Sequence, residues 1–437
     1  MEATVARPAE VARRAGAVPA ARWLVWGAFA VVLLVAPLLF PSSLGRSMLS
    51  QVGIAIVACL SYNILLGQGG MLSFGHAVYT GLGTFVAVHA LLGIGNGTLP
   101  IPVSLIPLVG GVAGMFFAVL LGYVTTKKAG TPFAMITLGI GELVTAMALM
   151  VPEFFGGEGG ISANRTAGKP FLGITYGPQI QVYYLLAVYT FACTAAMYAF
   201  TRTPLGRMLN AVRDNPERVE FIGYSTQRVR YFSFVIAGFF AGIAGGMYAL
   251  NFEIATAEVV GAGRSGAYLL FTFLGGATFF FGPIIGGVLM VLGIGLFSEL
   301  TKAWQLYLGL IFMFMVMYAP GGIASLIMMN LRVAAHRKLH RLWGWYALLT
   351  AGALVMLAGS AALIELVYHL QLGATSGPTL QYVGMTLDIG AASSWLGALA
   401  VAAIGLALFE FVRRRFALAW GRIQSEIETT MTFKEPS

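Results

Sequence analysis

Long apolar runs separated by short polar segments dominate this chain from residue 23 onward. The hydrocarbon core of a bilayer is about 30 Å thick and takes about 20 apolar residues as a helix. The pattern predicts twelve spans, at 23–40, 48–66, 76–94, 103–124, 133–151, 181–200, 231–250, 266–281, 284–300, 304–319, 344–366 and 391–412. We therefore predict an all-α, polytopic transmembrane helical bundle with about ten core helices and about two extra helices near the C-terminus.

Glycine and proline interrupt this pattern at 62–85 and at 261–287. In the first stretch six glycines alternate with apolar residues, and Gln68, Ser73 and His76 add polar groups. Irregular backbone survives in a membrane only where protein or a water-filled cavity surrounds it. Two interpretations stay open for this stretch: a broken helix that lines a substrate path, or a site of tight helix packing. The apolar runs of the second stretch are short, and they could form one broken, re-entrant hairpin that does not cross fully.

The apolar run 231–250 has a regular glycine pattern. Gly238, Gly242 and Gly246 recur at a spacing of four residues. In a helix this spacing lines one face with glycine, which lets a second helix approach closely. We predict that this face packs against another helix of the bundle.

Composition supports a membrane protein and excludes a soluble one. The chain is 58% hydrophobic and 10% charged, with a mean hydropathy of +0.83, whereas soluble proteins are about 45–50% apolar and about 25% charged. The net charge is +9, but its basic residues are dispersed among loops, so no nucleic acid partner is expected.

With the N-terminus inside, 21 of the 26 Lys and Arg residues fall on the cytoplasmic side, as the positive-inside rule requires. Both termini are therefore predicted to be cytoplasmic. The basic residues left on the outer side are Arg46, Arg165, Lys169, Arg264 and Lys302.

These assignments divide the chain into five parts. They are a cytoplasmic basic arm at 1–22, a transmembrane domain at 23–325, a basic cytoplasmic linker at 326–343, a two-helix membrane extension at 344–412 and a cytoplasmic tail at 413–437. The transmembrane domain includes a charged cytoplasmic loop at 201–230. Its mixture of apolar and charged residues predicts one or two short helices broken at Pro216. Such helices could rest on lipid headgroups or seat in a groove of a cytosolic protein.

The sequence offers few groups for chemistry. Glu142 is the acid that falls in the middle of a predicted span, where an ionisable residue indicates function. The alternative is a carboxyl that is tied to neighbouring helices, or held protonated, for structural reasons. Five scattered histidines and two cysteines in apolar runs form no catalytic or metal-binding constellation, and no phosphate loop of the form G-x-x-x-x-G-K-S/T is present. We therefore predict no catalytic residue, metal or cofactor.

Several motifs between residues 45 and 325 match one family in the same order. They are GQGGMLSFGHAVYTGLGTF (67–85), TLGIGEL (137–143), FFGGEGGIS (154–162), TPLGRMLNAVRDNPERVEFIGY (203–224), FSFVIAGFFAGIAGGMYA (232–249) and FLGGATFFFGPIIGG (273–287). With these motifs the chain resembles the LivM/LivH class, the permeases of ATP-binding-cassette importers for branched-chain amino acids. Because the motifs occur together and in order, the resemblance is more specific than any one of them.

The resemblance implies a permease subunit of the bacterial cytoplasmic membrane, without an ATPase site of its own. Two cytosolic ATP-binding-cassette subunits would bind below it, and a second, related permease chain would pair with it within the lipid. An extracytoplasmic binding protein would deliver the substrate. Related permeases carry urea, short amides or sugars, so these substrates are alternatives. An ion-coupled secondary transporter is the alternative class, and it would need several buried charges.

The resemblance also implies roles for particular residues. Those implied in coupling to the ATPase are Gly206, Arg207, Arg213, Asp214, Asn215 and Gly223. Those implied near the translocation path are Gly69, Ser73, Gly75, Glu142 and Gly157. The chain departs from the family in two places. It is charged at 217–220, where the family has small residues, and it continues for more than 100 residues beyond the last matching segment.

Overall fold

Helices follow the predicted apolar runs, because a backbone in lipid must satisfy its own hydrogen bonds. The computed structural model describes residues 8–168, 173–372, 379–382, 385–388 and 390–432. The helices are α1 (Pro8–Leu39), α2 (Ser43–Asn63), α3 (Ala77–Gly95), α4 (Ile106–Thr125), α5 (Thr131–Met150), α6 (Pro152–Phe155), α7 (Gln179–Arg202), α8 (Pro204–Asp214), α9 (Pro216–Phe221), α10 (Thr226–Phe252), α11 (Ala262–Gly275), α12 (Gly282–Leu300), α13 (Trp304–Tyr318), α14 (Gly322–Ala335), α15 (Trp343–Leu372) and α16 (Ala392–Thr432). The described residues also contain two short antiparallel pairs of strands, β1 (Ile161–Ser162) with β2 (Ile254–Ala255) and β3 (Thr379–Tyr382) with β4 (Met385–Asp388). The predicted all-α polytopic bundle is confirmed.

Fewer helices have the length of a span than the twelve apolar runs suggest. Nine of the described helices are long and apolar enough to cross a bilayer, and α13 with α14, bent by 48°, would make a tenth. The apolar part of α1, Trp23–Leu39, is shorter than a span. Helix α11 has 14 residues, which is about 21 Å of helix against about 30 Å of hydrocarbon. The chain leaves this helix at Gly276, with a φ of +113°, so the run at 266–281 is not one continuous helix. Helix α12 is long enough for a span, and a re-entrant hairpin at this position stays a prediction.

The crossing of α10 with α4 is tightly packed. A Cβ atom added at Gly242 would lie 2.2 Å from the carbonyl oxygen of Gly110, and one added at Gly114 would lie 2.4 Å from that of Gly238. Two helix backbones approach this closely only where small residues line both faces. The predicted packing of the glycine face of α10 against another helix is therefore confirmed.

The chain forms two compact units. The core unit runs to Gly295 and includes Phe312–Ala324, and the extension unit comprises Leu296–Ile311 and the chain from Ser325 onward. Within the extension unit α15 and α16 run antiparallel, because Gly359 faces Ala402 whereas Gly405 faces Met356.

The extension unit takes in 296–311, which the sequence analysis assigned to the transmembrane domain. Part of this segment is bonded to α15, since the carboxylate of Glu365 accepts hydrogen bonds from the hydroxyls of Thr301 and Tyr307. The predicted linker 326–343 is largely helical, since it contains most of α14 and a 3-10 turn at Leu339–Leu342.

Parts of the predicted arm and tail, residues 1–7 and 433–437, lie outside the described residues, as does Lys169. The cytoplasmic location of both termini therefore stays a prediction. It depends on the distribution of basic residues along the sequence.

Candidate translocation and coupling site

The first glycine-rich stretch forms a break between two helices of the core unit. After α2 a π-helical turn covers Ile64–Gln68, and residues 69–76, which we call the break, have no helical structure before α3 begins. At the end of the break, His76 Nε2 lies 2.9 Å from the hydroxyl of Ser61, which donates to the carbonyl oxygen of Ala237 near the middle of α10. Non-helical backbone therefore occurs at membrane depth, where it must be enclosed by protein or water.

Side chains from three helices complete the hydrogen bonding of the break. The Phe74 N–H donates to Thr137 Oγ1 (3.1 Å), the Ala77 N–H donates to Ser265 Oγ (3.0 Å), and the Tyr62 hydroxyl donates to the Ser73 carbonyl (2.9 Å). An unpaired backbone group in lipid costs several kcal/mol, roughly. The bonds from α5, α11 and α2 thus hold an irregular segment in one conformation. Sequence reasoning missed these three side chains, although each is a hydroxyl within an otherwise apolar run.

Three buried polar atoms near the break have no hydrogen-bond partner among the described residues. They are Ser73 Oγ, His76 Nδ1 and Asn63 Oδ1. Ser73 and His76 are fully buried. Most buried polar atoms in native proteins are paired, so an unpaired group needs a structural or functional explanation. Polar hydrogen-bonding capacity is thus available at the point where the helix is interrupted, as a path for a polar solute requires.

Two glycines of the break allow neighbouring elements to approach. A Cβ atom at Gly75 would lie 2.1 Å from the carbonyl oxygen of Thr137 on α5. Gly70 has a φ of +62°, and a Cβ atom there would lie 2.9 Å from the side chain of Arg213. Only glycine readily adopts a positive φ and also leaves room for a side chain this close to its Cα. The break is therefore a site of tight packing within a broken helix, and its place along a substrate path stays a prediction.

The 201–230 loop folds into two short helices separated at Pro216, α8 and α9, as its pattern predicted. The Thr203 side chain caps α8 by accepting from the Gly206 N–H, a common device at helix N-termini. The Asn215 side chain caps α9 in the same way by accepting from the Arg218 N–H. Gly223 follows α9 with a φ of +86°. Gly206, Asn215 and Gly223 therefore shape the loop rather than present a charge.

Helix α8 lies directly against the break. The Arg213 guanidinium donates to the carbonyl oxygen of Gly67, and the Asn210 amide donates to Gln68 Oε1 over 3.0 Å. Leu209 of α8 is fully buried, and a Cβ atom at Gly69 would come within 3.1 Å of it. The structure thus brings together residues that the sequence placed in two separate sets, one for coupling and one for the path. Asn210 is an additional contact that sequence reasoning missed.

The remaining charged residues of α8 point away from the break. Asp214 forms an ion pair of 2.9 Å with the neighbouring Arg213. Arg207 is exposed, and its side chain forms no ion pair or hydrogen bond within the part of the chain that the structure describes. On α9 and just after it, Phe221 and Ile222 are 90% and 61% exposed. We call Arg207, Phe221 and Ile222 the loop surface. It combines a free cation with apolar side chains, a composition suited to contact with another molecule.

Glu142 and Gly157 do not join the other predicted path residues. Glu142 lies on the exposed face of α5, and no group among the described residues bonds its carboxylate. The preceding residue, Gly141, lies against Gly75, with 3.6 Å between their backbones. Gly157 is part of a turn after α6 with a φ of +64°. The structure therefore does not support the alternative in which neighbouring helices of this chain hold the Glu142 carboxyl.

The end of α10 opposite to α8 is held by Arg165. Its guanidinium donates to the carbonyl oxygens of Leu250 (3.1 Å) and Tyr176 (2.8 Å), and it lies 3.7 Å from the Glu253 carboxylate. Cations near the last carbonyls of a helix interact favourably with its dipole. Strand pair β1–β2 joins the same two segments. Arg165 thus fixes the loop after α6 to the C-terminus of α10, a role that the sequence analysis did not assign.

A helical bundle with spans of membrane length, a broken helix at membrane depth and an amphipathic helix against that break has the construction of a membrane transport component. Residues 46–320 match the family model described as the permease component of branched-chain amino acid transport systems, so the chain belongs to that family. The match agrees with the resemblance seen in the motifs at 45–325.

Two curated relatives have the same extent of similarity. The chain is 27% identical over 331 residues to the high-affinity branched-chain amino acid transport system permease protein LivM of Escherichia coli (strain K12), with 70% of this chain and 76% of that protein covered. The LivM protein of Salmonella typhimurium (strain LT2) matches with the same identity and coverage. No solved structure matches the chain significantly.

Proposed function

We propose that this chain is the membrane-spanning permease subunit of an ATP-driven importer for branched-chain amino acids. An extracytoplasmic binding protein delivers the substrate, a second permease chain completes the path, and two cytosolic ATP-binding-cassette subunits supply the energy. The observation that carries the proposal is the direct contact of α8 with the π-helical turn that leads into the break, through Arg213 to Gly67 and Asn210 to Gln68.

In this proposal the two sides of the 201–230 loop have different tasks. The loop surface, with Arg207 and Phe221 exposed, seats on the ATPase subunits. The opposite side, with Arg213 and the buried Leu209, follows the break. A displacement of the loop by the ATPase then moves Gly67–Gly70 through short hydrogen bonds and packed atoms. Packed contacts of this kind transmit displacement because protein interiors are close-packed.

We further propose that the α5 face with Gly139 and Glu142 faces the second permease chain. A charged side chain exposed to lipid at the centre of a span costs at least about 2.5 kcal/mol, so a contact outside this chain is favoured for Glu142. Space beside Gly139 is open, since a Cβ atom there would have no neighbour within 4 Å. A carboxylate at this position suits the ammonium group of an amino acid, which supports its place near the path.

The test separates assembly from coupling. We expect Arg207→Glu to reduce co-purification of the ATPase subunits from mild detergent. We expect Arg213→Gln to keep assembly and ATP hydrolysis but to lower leucine uptake at least about tenfold, because the bond to Gly67 is lost. Lys128→Gln is the matched control, since Lys128 is also exposed on a predicted cytoplasmic loop.

The same experiment distinguishes the alternatives. Normal uptake with Arg213→Gln would remove α8 from the coupling mechanism. Transport of urea, a short amide or a sugar instead of leucine would change the substrate class and leave the importer intact. Uptake by the purified chain alone, in liposomes with an ion gradient, would replace the importer by a secondary transporter.

A further inference from the structure

The extension unit contains a groove between the beginning of α13 and the end of α15. Its volume is about 610 Å³, which falls in the range of about 300–1,000 Å³ typical of small-molecule sites. Four aliphatic side chains form its wall, Leu306, Leu363, Ile364 and Val367. The α13 side of the groove lies within the segment matched by the family model and its α15 side lies beyond it. The proposed transport mechanism, which uses the break and α8, does not involve this groove.

The groove has a polar end and an apolar end. Lys302 and Gln305 flank the first residue of α13, and Tyr368 and Gln371 lie in the last turns of α15. Because one helix begins where the other ends, these polar groups share one end of the groove. Ile364 lies about two helical turns before Gln371 on α15, toward the apolar end of the groove. Lys and Tyr side chains at the ends of membrane helices characterise the interface between hydrocarbon and water.

Lys302 is a cation without a counter-charge inside the described chain. Its side chain is exposed, and it forms no ion pair or hydrogen bond with any described residue. Among the described residues neither Glu299 nor Glu365 forms an ion pair with it, and the Glu365 carboxylate accepts hydrogen bonds from Thr301 and Tyr307. An anion is therefore the complementary occupant of the polar end.

A hydrogen bond connects the two helices that form the walls of the groove. The hydrogen bond from Tyr307 to Glu365 is 3.2 Å long, and it joins α13 to α15 beside the groove. A site held in one shape loses less conformational freedom on binding than a flexible one, which favours affinity.

We propose that this groove binds one anionic phospholipid. Its phosphate contacts the Lys302 ammonium and the Gln305 and Gln371 amides, and an acyl chain lies along Leu306, Ile364 and Val367. A phospholipid fits because it joins a negative phosphate to a long apolar chain, the two chemistries that the groove presents. It is also the amphiphile that surrounds this interface in a membrane.

The first test measures the charge contact. The full-length protein is purified in mild detergent and placed in lipid nanodiscs, and bound phosphatidylglycerol and phosphatidylcholine are compared by native mass spectrometry. We expect phosphatidylglycerol to be retained preferentially and Lys302→Ala to weaken its retention about fivefold, as one cation near a membrane surface contributes about 1 kcal/mol. Lys302→Arg should retain it, and Lys128→Ala is the matched control. Equal retention of both lipids, or an unchanged Lys302→Ala variant, would overturn the proposal.

The second test measures the acyl-chain contact. Val367→Trp fills the groove but keeps Lys302, so we expect phosphatidylglycerol retention to fall, whereas Leu370→Trp should leave it unchanged. Leu370 is a suitable control because it is 60% exposed on the same helix and does not line the groove. Full retention by a well-folded Val367→Trp protein would show that the headgroup alone is bound, and the proposal that an acyl chain lies in the groove would be rejected. Because the Lys302 variants change an exposed side chain, they keep the proposal testable even if the tryptophan variants misfold.

Discussion

The core unit and the extension unit use the same packing device in different surroundings. In the core α10 crosses α4 at glycines, and in the extension α15 crosses α16 at Gly359 and Gly405. In the most apolar stretch of α10, 78% of the residues are buried within the chain. In the corresponding stretches of α15 and α16, 17% are buried. A glycine crossing therefore serves as the centre of a bundle in one unit and joins a single pair of helices in the other. The consequences of disrupting it should differ accordingly.

The largest expected effect is that of Gly242→Val in the core. Its added side chain would meet the backbone of Gly110 at 2.2 Å and that of Gly114 at 2.9 Å, and backbone cannot move aside without separating the helices. Overpacking typically costs about 1–3 kcal/mol and sometimes more, and here it affects a helix that is buried on most sides. We expect almost no folded protein, measured as monodisperse material by size-exclusion chromatography in mild detergent.

Gly405→Val is the matched change in the extension. It brings a Cβ atom to 2.2 Å from the Met356 amide nitrogen, so the local clash is as severe. We expect α15 and α16 to separate while the core unit remains folded and leucine uptake per molecule is largely kept. Equal loss of folded protein in both variants would show that the two units fold together. The expected difference between the two glycine crossings would then be wrong.

The next largest expected effect concerns the stability contributed by a buried charged side chain and by an exposed ion pair. The Arg165 side chain is 11% exposed and bonds several carbonyls as well as Glu253, whereas Lys338 pairs with the exposed Glu426 at the surface of the extension. Hydrogen bonds to a charged group contribute about 1.5–3 kcal/mol each, and surface ion pairs contribute about 0–1 kcal/mol. We expect Arg165→Ala to lower the thermal midpoint in detergent strongly and Lys338→Ala to leave it nearly unchanged. Similar shifts for both variants would contradict the assignment of Arg165 as the group that holds α10.

The sequence predicted the class of fold and the order of the helices because apolar length and glycine spacing are properties of the chain itself. It also predicted one or two short helices broken at Pro216, since proline marks such a limit locally, and the structure adds the caps Thr203 and Asn215. It could not predict that Arg213 reaches Gly67, because these residues are separated by 146 positions and their contact depends on how the helices pack. For the same reason it did not identify Thr137, whose partner Phe74 lies on another element.

The chain also contains cases in which apolar length alone misleads. The run at 266–281 is apolar enough for a span, yet α11 ends at Gly275. Helix α11 packs its last turn against the start of α12, where a Cβ atom at Gly275 would lie 2.1 Å from the Gly282 carbonyl oxygen. Tertiary packing of this kind ends a helix that hydropathy would extend.

The smallest expected effect concerns a single hydroxyl. Thr137 of α5 accepts the N–H of Phe74 in the break, whereas Thr350 of α15 donates only to the Tyr346 carbonyl one turn earlier in its own helix. Thr137→Val leaves a backbone amide unpaired in the core, which costs about 1–3 kcal/mol. Thr350→Val changes an exposed position, where substitutions usually stay within about 0.5 kcal/mol. We expect Thr137→Val to lower both thermal stability in detergent and leucine uptake, and Thr350→Val to lower neither.

If Thr137→Val reduced stability but left uptake per folded molecule unchanged, the conformation of the break would be a requirement for folding alone. A loss of uptake beyond the loss of folded protein would instead connect that conformation to transport, because the same segment is in contact with α8.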